Sequence, residues 1–190
     1  MNYYDENAQN FFDGTVNADM TSHHEEFIKL ISDKGRILDA GCGSGRDALK
    51  FKSEGYDVCA IDGSSEMCKL ASEYTGINVK HMQFQDITFN QEFDGIWASA
   101  SLLHVSSSEI EMVLEKLKKS LKSNGILYAS FKYGDFEGLR NGRYFNDLTE
   151  KTVIELFENV KFDIIKTWIT TDGRKGRENE KWVNILVRKP

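Results

Sequence analysis

The sequence predicts an α/β fold, a mostly parallel sheet of seven strands with helices on both faces and a C-terminal antiparallel hairpin. Short apolar stretches of strand length alternate with helix-patterned segments through residues 36–131, and parallel strands require such crossovers. The last two strand candidates, 162–169 and 182–187, have only the polar run 172–181 between them, so they should pair antiparallel at the sheet edge. With 190 residues the chain is the size of one domain, which buries roughly 70% of its unfolded surface without a disulfide or metal.

The elements follow in order. A first helix runs over 21–32, stacking His24, Phe27, Ile28 and Ile31 and stopping at Gly35. Strand 36–40 enters a glycine-rich loop, and a helix begins near Arg46. Strand 57–61 leads into helix 64–74, with Met67, Leu70, Ala71 and Tyr74 on one face and Gly76 as its end. Strands 79–84 and 95–98 come next. The clearest helix follows Ser106: Ile110, Val113, Leu114, Leu117 and Leu121 recur at helical spacing, Ser106 with Glu109 forms a capping box, and Asn124-Gly125 supplies a stop. After strand 125–131, residues 132–147 show no regular pattern, and a loop of that length is usually functional.

Composition narrows the function. No apolar run approaches the ~20 residues that span a bilayer, and the acidic, aromatic start Tyr3-Tyr4-Asp5-Glu6 does not read as a signal peptide. Cys42, Cys59 and Cys68 are odd in number and lack metal-type spacing, which points to a reducing, cytoplasmic setting and to no metal site. A net charge of −6, from 24 basic and 30 acidic residues, argues against broad contact with nucleic acid or anionic membrane.

The strongest local signal is Asp39-Ala40-Gly41-Cys42-Gly43-Ser44-Gly45. Alternating glycines permit positive φ and close approach of a ligand to the backbone, and the following helix presents unpaired N–H groups. A dinucleotide fingerprint would need glycine at position 46, where this chain has Arg46. Asp39 would repel a pyrophosphate and attract an ammonium group. The loop thus suits a ligand with a positive amino-acid end and a nucleoside end. Asp62, 21 residues after Gly41, is placed to accept ribose hydroxyls, and Asp86 suits an exocyclic amine beside the apolar Ile87. Acidic residues at three successive strand ends are hard to explain by packing.

With these motifs the chain resembles the class I S-adenosylmethionine-dependent methyltransferases, from residues 35 to 131 and in element order through the final hairpin. Within them, the run Gly41-Cys42-Gly43-Ser44-Gly45-Arg46-Asp47 and Leu102-Leu103-His104-Val105 are similar to the tellurite-resistance-related group. The resemblance implies a Rossmann-like seven-stranded sheet, S-adenosylmethionine as cofactor and S-adenosylhomocysteine as product. Residues 1–34 would form a helical cap over the cofactor and 35–190 the core of one domain. The cofactor residues it implies are Asp39, Gly41, Cys42, Gly43 and Gly45; Asp62, Gly63, Ser64 and Met67; Gln85, Asp86 and Ile87; and Ala98. In the cap, Tyr4 and Phe11 are the matching positions.

On this reading the reaction is methyl transfer to a small acceptor, anionic or thiol-like, by in-line displacement. His104, after the fourth strand, is a candidate base for a hydroxyl or amine acceptor, with Tyr4 and Tyr144 as orienting groups, or else a loop-stabilising histidine. Phe11, His104, Lys132, Arg143 and Tyr144 are candidate acceptor contacts, and Arg140, Arg174, Lys175 and Arg177 add basic character, offset by Asp135, Glu137, Glu178 and Glu180. Cys42 reads as a small packing residue, and His23 and His24 as solvent or packing residues. Three alternatives stay open: an RNA or tRNA methyltransferase, a cofactor-binding module without turnover, and a nicotinamide dehydrogenase. The first is weakened by Ala98-Ser99-Ala100-Ser101-Leu102, which stands where amino-directed base methyltransferases carry Asn/Asp-Pro-Pro-aromatic. Fold alone leaves the second open, and Asp39 and Arg46 disfavour the third.

Overall fold

The structure, a computed structural model, describes residues 3–172, 176, 177 and 179–190. Met1 and Asn2, and Arg174, Lys175 and Glu178 of the expected charged hairpin loop, lie outside the described residues.

In chain order the elements are helices α1 (Tyr3–Glu6), α2 (Ala8–Thr15) and α3 (Thr21–Ile28), then strand β1 (Arg36–Ala40), α4 (Arg46–Ser53), β2 (Asp57–Asp62), α5 (Ser65–Thr75) and β3 (Lys80–His81). A short turn of 3-10 helix, Phe84–Asp86, precedes β4 (Phe93–Ala98), and a second, Leu102–His104, precedes α6 (Ile110–Ser120). Then come β5 (Leu121–Lys132), β6 (Glu137–Arg140), β7 (Arg143–Asn146), α7 (Glu150–Asn159), β8 (Asp163–Thr171) and β9 (Lys181–Arg188). Seven strands form one sheet in the order β3-β2-β1-β4-β5-β9-β8, and β6 and β7 form a separate two-stranded ribbon. The first five are parallel, and β9 runs antiparallel to both β5 and β8. The sheet is the expected Rossmann-like one, with β9 seated inside and β8 at the edge.

The period-two alternation of strands distributes side chains to the two faces. Leu38 goes to one face, with Leu114 and Leu117 of α6 and Val153 and Phe157 of α7, all fully buried. Ile37 goes to the other, with Phe27 of α3, Phe51 of α4, Trp97 and Tyr128. A small-residue cluster of Cys42, Ala48, Ala60, Cys68 and Ala71 joins α4 and α5 over β2. Helix α3 belongs to the core layer through His24 and Phe27, while its His23 lines the edge where α1 and α2 also lie. No described helix is long and apolar enough to cross a membrane.

Several local expectations change. The expected strand 79–84 shrinks to Lys80–His81: it sits at the open edge, pairs only with β2, and turns at once into the 3-10 segment. Helix α3 ends at Ile28, although Ile31 is still buried. Helix α5 ends at Gly76 (φ 63°) as expected, and Ser64, expected as its first residue, is its cap, Oγ accepting from the Met67 N–H (3.2 Å). Tyr74, expected on its buried face, is exposed and meets the Phe12 ring of α2 edge-on. The Ser106–Glu109 capping box does not form: Ser106 Oγ donates to the Glu109 carboxylate (3.0 Å) instead of accepting a backbone N–H, and Glu109 is the cap of α6. Helix α6 ends at Ser120, and Asn124 at φ 62° lies inside β5.

The stretch 132–147 is not irregular. It folds into the β6–β7 ribbon around Asn141 (φ 51°) and Gly142 (φ 75°), the two positive-φ positions of a type I′ turn. That turn sets Arg143 and Tyr144 at the mouth of the sheet's carboxyl edge.

Candidate functional site

Two cavities open along that edge. The first, ≈ 290 Å³, has walls from the glycine loop (Gly41, Gly43), the end of β2 and start of α5 (Asp62, Gly63, Ser64, Met67), residues 82–85, and Tyr3 and Tyr4 of α1. The second, ≈ 200 Å³, lies between α2, the end of β5 and the β8–β9 ends, with Arg46, Tyr128, Phe145, Trp182 and Asn184 on its walls. Tyr4, Phe11, Ala100, His104 and Arg143 line both, so they form a shared partition.

The loop's glycines do different work. The Gly41 and Cys42 N–H groups donate to Ile61 O (2.9 and 3.0 Å), pinning the loop to β2. Gly41, at φ 78°, would bring any Cβ to 2.5 Å from Ser101 Cβ. Ser101 is in turn held by donating to Ala40 O (2.7 Å). Gly43 faces Phe11 of the cap. Gly45 lies away from both cavities, and a Cβ there would meet Thr75 Cγ2 at 2.7 Å, so it serves α4–α5 packing. Cys42 also lies off the cavity walls, its thiol in the small-residue cluster, where burial raises its pKa.

Asp62 is on the wall of the first cavity. Its Oδ2 accepts from the Gly43 N–H and its Oδ1 from the Ser64 N–H, both at 2.9 Å. Burial pushes its pKa up, and these donors oppose that. Each oxygen keeps a lone pair for a ligand hydroxyl. Asp39 is 2% exposed, and its Oδ2 has no hydrogen-bond partner. Burial, with Asp47 nearby, raises its pKa strongly. It lies behind the loop, off the cavity wall.

Gln85 lines the first cavity, but Asp86 does not: the 3-10 turn leaves it exposed. Ile87 and Ala98 are core residues away from both cavities. Met82, Gln83 and Phe84 take wall positions that the expectation of a continuous strand hid.

His104 is held on both ring nitrogens. Nδ1 lies 2.6 Å from the Tyr144 carbonyl oxygen, which can only accept, so Nδ1 carries the proton and Nε2 accepts from the Tyr4 hydroxyl (2.6 Å). Burial lowers its pKa to about 4. In this arrangement the Nε2 lone pair is already filled by Tyr4, the geometry of a bracing, loop-stabilising histidine, the second of the two readings the sequence offered. Burial raises the Tyr4 pKa, opposed by a hydrogen bond from Arg143. Tyr144 lines the first cavity but turns its hydroxyl to Glu137 (2.5 Å). Lys132 is not on either wall: it pairs with Glu180 and stands over the Trp182 ring.

Arg143 is brought to the partition, its guanidinium 4.9 Å from the Tyr3 ring centre and 5.1 Å from that of Phe145. Its Nε is buried without a hydrogen-bond partner. Arg140 instead bonds Asp147 (2.7 Å).

The place of Arg46 on the second cavity, and the polar knot behind it, were not among the sequence expectations. Asp47, in the first turn of α4, accepts from Arg46 Nε (2.8 Å) and Nη2 (2.7 Å), His24 Nε2 (2.9 Å) and Trp97 Nε1 (2.8 Å). Burial opposes its ionisation, but Arg46 and His24 outweigh it and hold the carboxyl well below the usual range. The knot ties α3 to α4 and presents Arg46 to the second cavity. Among the described residues, no cluster of His, Cys, Asp and Glu has the makings of a metal site.

Residues 37–125 match the methyltransferase domain family. An uncharacterized methyltransferase of Staphylococcus carnosus is 32% identical over 172 residues, covering 81% of this chain and 83% of its own. A ubiquinone biosynthesis O-methyltransferase of Rickettsia canadensis is 28% identical over 116 residues, 58% of this chain, and this chain spans 46% of that longer protein. Among solved structures, the 1,6-didemethyltoxoflavin N1-methyltransferase of Burkholderia thailandensis, bound to 1,6-didemethyltoxoflavin and S-adenosylhomocysteine, has a TM-score of 0.78 at 20% identity, over 98% of this chain and 83% of that one. The chain belongs to the family of class I S-adenosylmethionine-dependent methyltransferases.

Proposed function

We propose that the first cavity holds S-adenosylmethionine and the second a small, anionic or thiol-like acceptor, with the methyl group passing through the partition of Tyr4, Phe11, Ala100, His104 and Arg143. The observation that carries this reading is the two cavities sharing those five residues. The fit rests on Asp62, whose oxygens both keep a free lone pair, on the unpartnered buried Asp39 Oδ2, and on Gly41 and Gly63, where a Cβ would collide at 2.5 and 2.8 Å. When bound, S-adenosylmethionine supplies a methyl group on a sulfonium, already a good leaving group.

The chain's own residues then bind, orient and exclude water. Asp62 takes the ribose hydroxyls. Asp39, its unpartnered Oδ2 behind the glycine loop, gains a reason to ionise when the ammonium end is in place. Phe84, Gln83 and Gln85 wall the base, and Tyr3, Tyr4 and Phe11 cover the site. His104 is a positioning residue: it fixes the Tyr4 hydroxyl at the partition. Arg143 faces the acceptor's charge. The motif likeness to the tellurite-resistance-related group points the same way, toward an anion.

Calorimetric titration with S-adenosylhomocysteine, with NAD as control, tests the reading. Wild type should bind in the micromolar range. Asp62→Asn puts an amide N–H₂ against one of the two backbone donors and should weaken binding by about 100-fold, two charge-assisted bonds' worth. Micromolar binding of NAD, or unchanged affinity in D62N, would remove its support.

A further inference from the structure

We infer that the second cavity takes a small planar acid, bound as its anion, with Arg143 as receptor of the charge and the acceptor's ionised heteroatom as the methylated atom. The inference rests on the first cavity being the cofactor's.

Size and walls set the shape of the acceptor. An apolar cavity of about 150 Å³ accommodates a benzene ring, so ≈ 200 Å³ suits one ring with a substituent or two. Among polar residues such as Thr15, Ser130 and Asn184, the walls carry aromatic rings: Phe11 and Tyr4 on the partition, Phe145, Trp182, and Tyr128 stacked on Trp97 at 4.0 Å. Ring faces and edges favour a flat guest.

Charge sets its ionisation. Arg46 is matched by the bidentate Asp47, so it adds little net field. Arg143 has no carboxylate partner among the described residues, and its buried Nε–H lacks an acceptor. The wall's two carboxylates lie outside the partition and accept from neutral donors, which leave them their charge: Asp19 from the Thr21 N–H (2.9 Å) and Asp172 from the Trp182 indole (3.2 Å). Burial keeps His23, also on this wall, toward its neutral form, and His104 is neutral and engaged. Of the five partition residues, Arg143 is the one that carries a charge, and the His104 lone pair is filled. Beside that guanidinium, an acceptor that is already an anion is favoured over a neutral one.

The step balances without a proton. The anionic heteroatom supplies the electron pair of the new bond to the methyl carbon, the carbon–sulfur pair returns to sulfur, and anion and sulfonium cancel to two neutral products.

The test uses the full chain saturated with S-adenosylhomocysteine and 4-nitrophenol as a planar acid whose ionisation is visible in its absorbance. Bound probe should ionise about one pH unit lower than free probe, a tenfold preference for the anion. Arg143→Gln should abolish the shift and Arg143→Lys should keep part of it, while titration of each variant with S-adenosylhomocysteine reads the first cavity separately. A bound probe that stays protonated, a shift that survives in R143Q, or no probe binding to the loaded protein would each overturn the inference. Displacement of the probe by tellurite at lower concentration than by benzoate would overturn planarity. Failure of wild type to bind S-adenosylhomocysteine would instead strike the cofactor reading, and this inference with it.

Discussion

Replacing His104 with glutamine should flatten the acid limb of the protein's stability curve. Burial between Tyr4, Phe145 and the Tyr144 carbonyl holds the imidazole near 4 in the folded state, against 6.5 when exposed. The folded pKa lies below the unfolded one, so between them the unfolded chain binds the extra proton. Stability from this group is therefore complete above about pH 6.5 and is lost as the pH falls toward 4. At pH 5 the unfolded histidine is almost fully protonated and the folded one is nearly neutral. From pH 7 to pH 5 that difference is worth about 2 kcal/mol. The assay is urea unfolding of wild type and H104Q at both pH values without cofactor, because the difference between the two proteins cancels the carboxylates they share. Wild type should lose about 2 kcal/mol more than H104Q on acidification. Parallel losses would refute the neutral, doubly bonded histidine and return His104 to the role of an ordinary titrating base.

Three further outcomes follow from the packing. Gly41→Ala, which puts a Cβ 2.5 Å from Ser101 at φ 78°, should cost at least about 2 kcal/mol in chemical unfolding; a near-neutral result would mean the loop has slack. Asp47→Asn leaves the half-buried Arg46 without its counter-charge and weakens the bonds the buried Asp47 carboxylate makes to His24 and Trp97, at a cost of roughly 3 kcal/mol, with a shift in tryptophan emission reporting the local change. Gly142→Ala, at φ 75° in the β6–β7 turn and facing the Tyr3 ring, should cost about 1 kcal/mol and weaken 4-nitrophenol binding several-fold by moving Arg143, whereas equal probe affinity would separate the turn from the acceptor site.

The fold, the glycine loop and the position of Asp62 were legible because their signals are local. Glycine spacing, a carboxylate at a strand's end and apolar periodicity are properties of short runs, and Gly41, Gly43, Asp62, Ser64 and Met67 do line one cavity. The β6–β7 ribbon was also locally encoded, since Asn141-Gly142 is the signature of its turn. It was obscured because exposed glycine and charged residues break the alternation on either side. Asp86 failed for a related reason: its placement depends on how far an edge strand continues, and an edge lacks the second partner that would hold it.

What the sequence determined by itself is the order of elements, the loop that needs glycine and the acids at the ends of β1 and β2. Tertiary structure alone decided the partition. Tyr4, His104 and Arg143 are about 100 and 40 residues apart in the chain, and only the meeting of α1, the turn after β4 and the β6–β7 ribbon fills the His104 lone pair and leaves the Arg143 Nε free. Whether a histidine is a base or a brace depends on burial and on which atoms face its two nitrogens, and those are set by contacts between distant segments rather than by its neighbours in sequence.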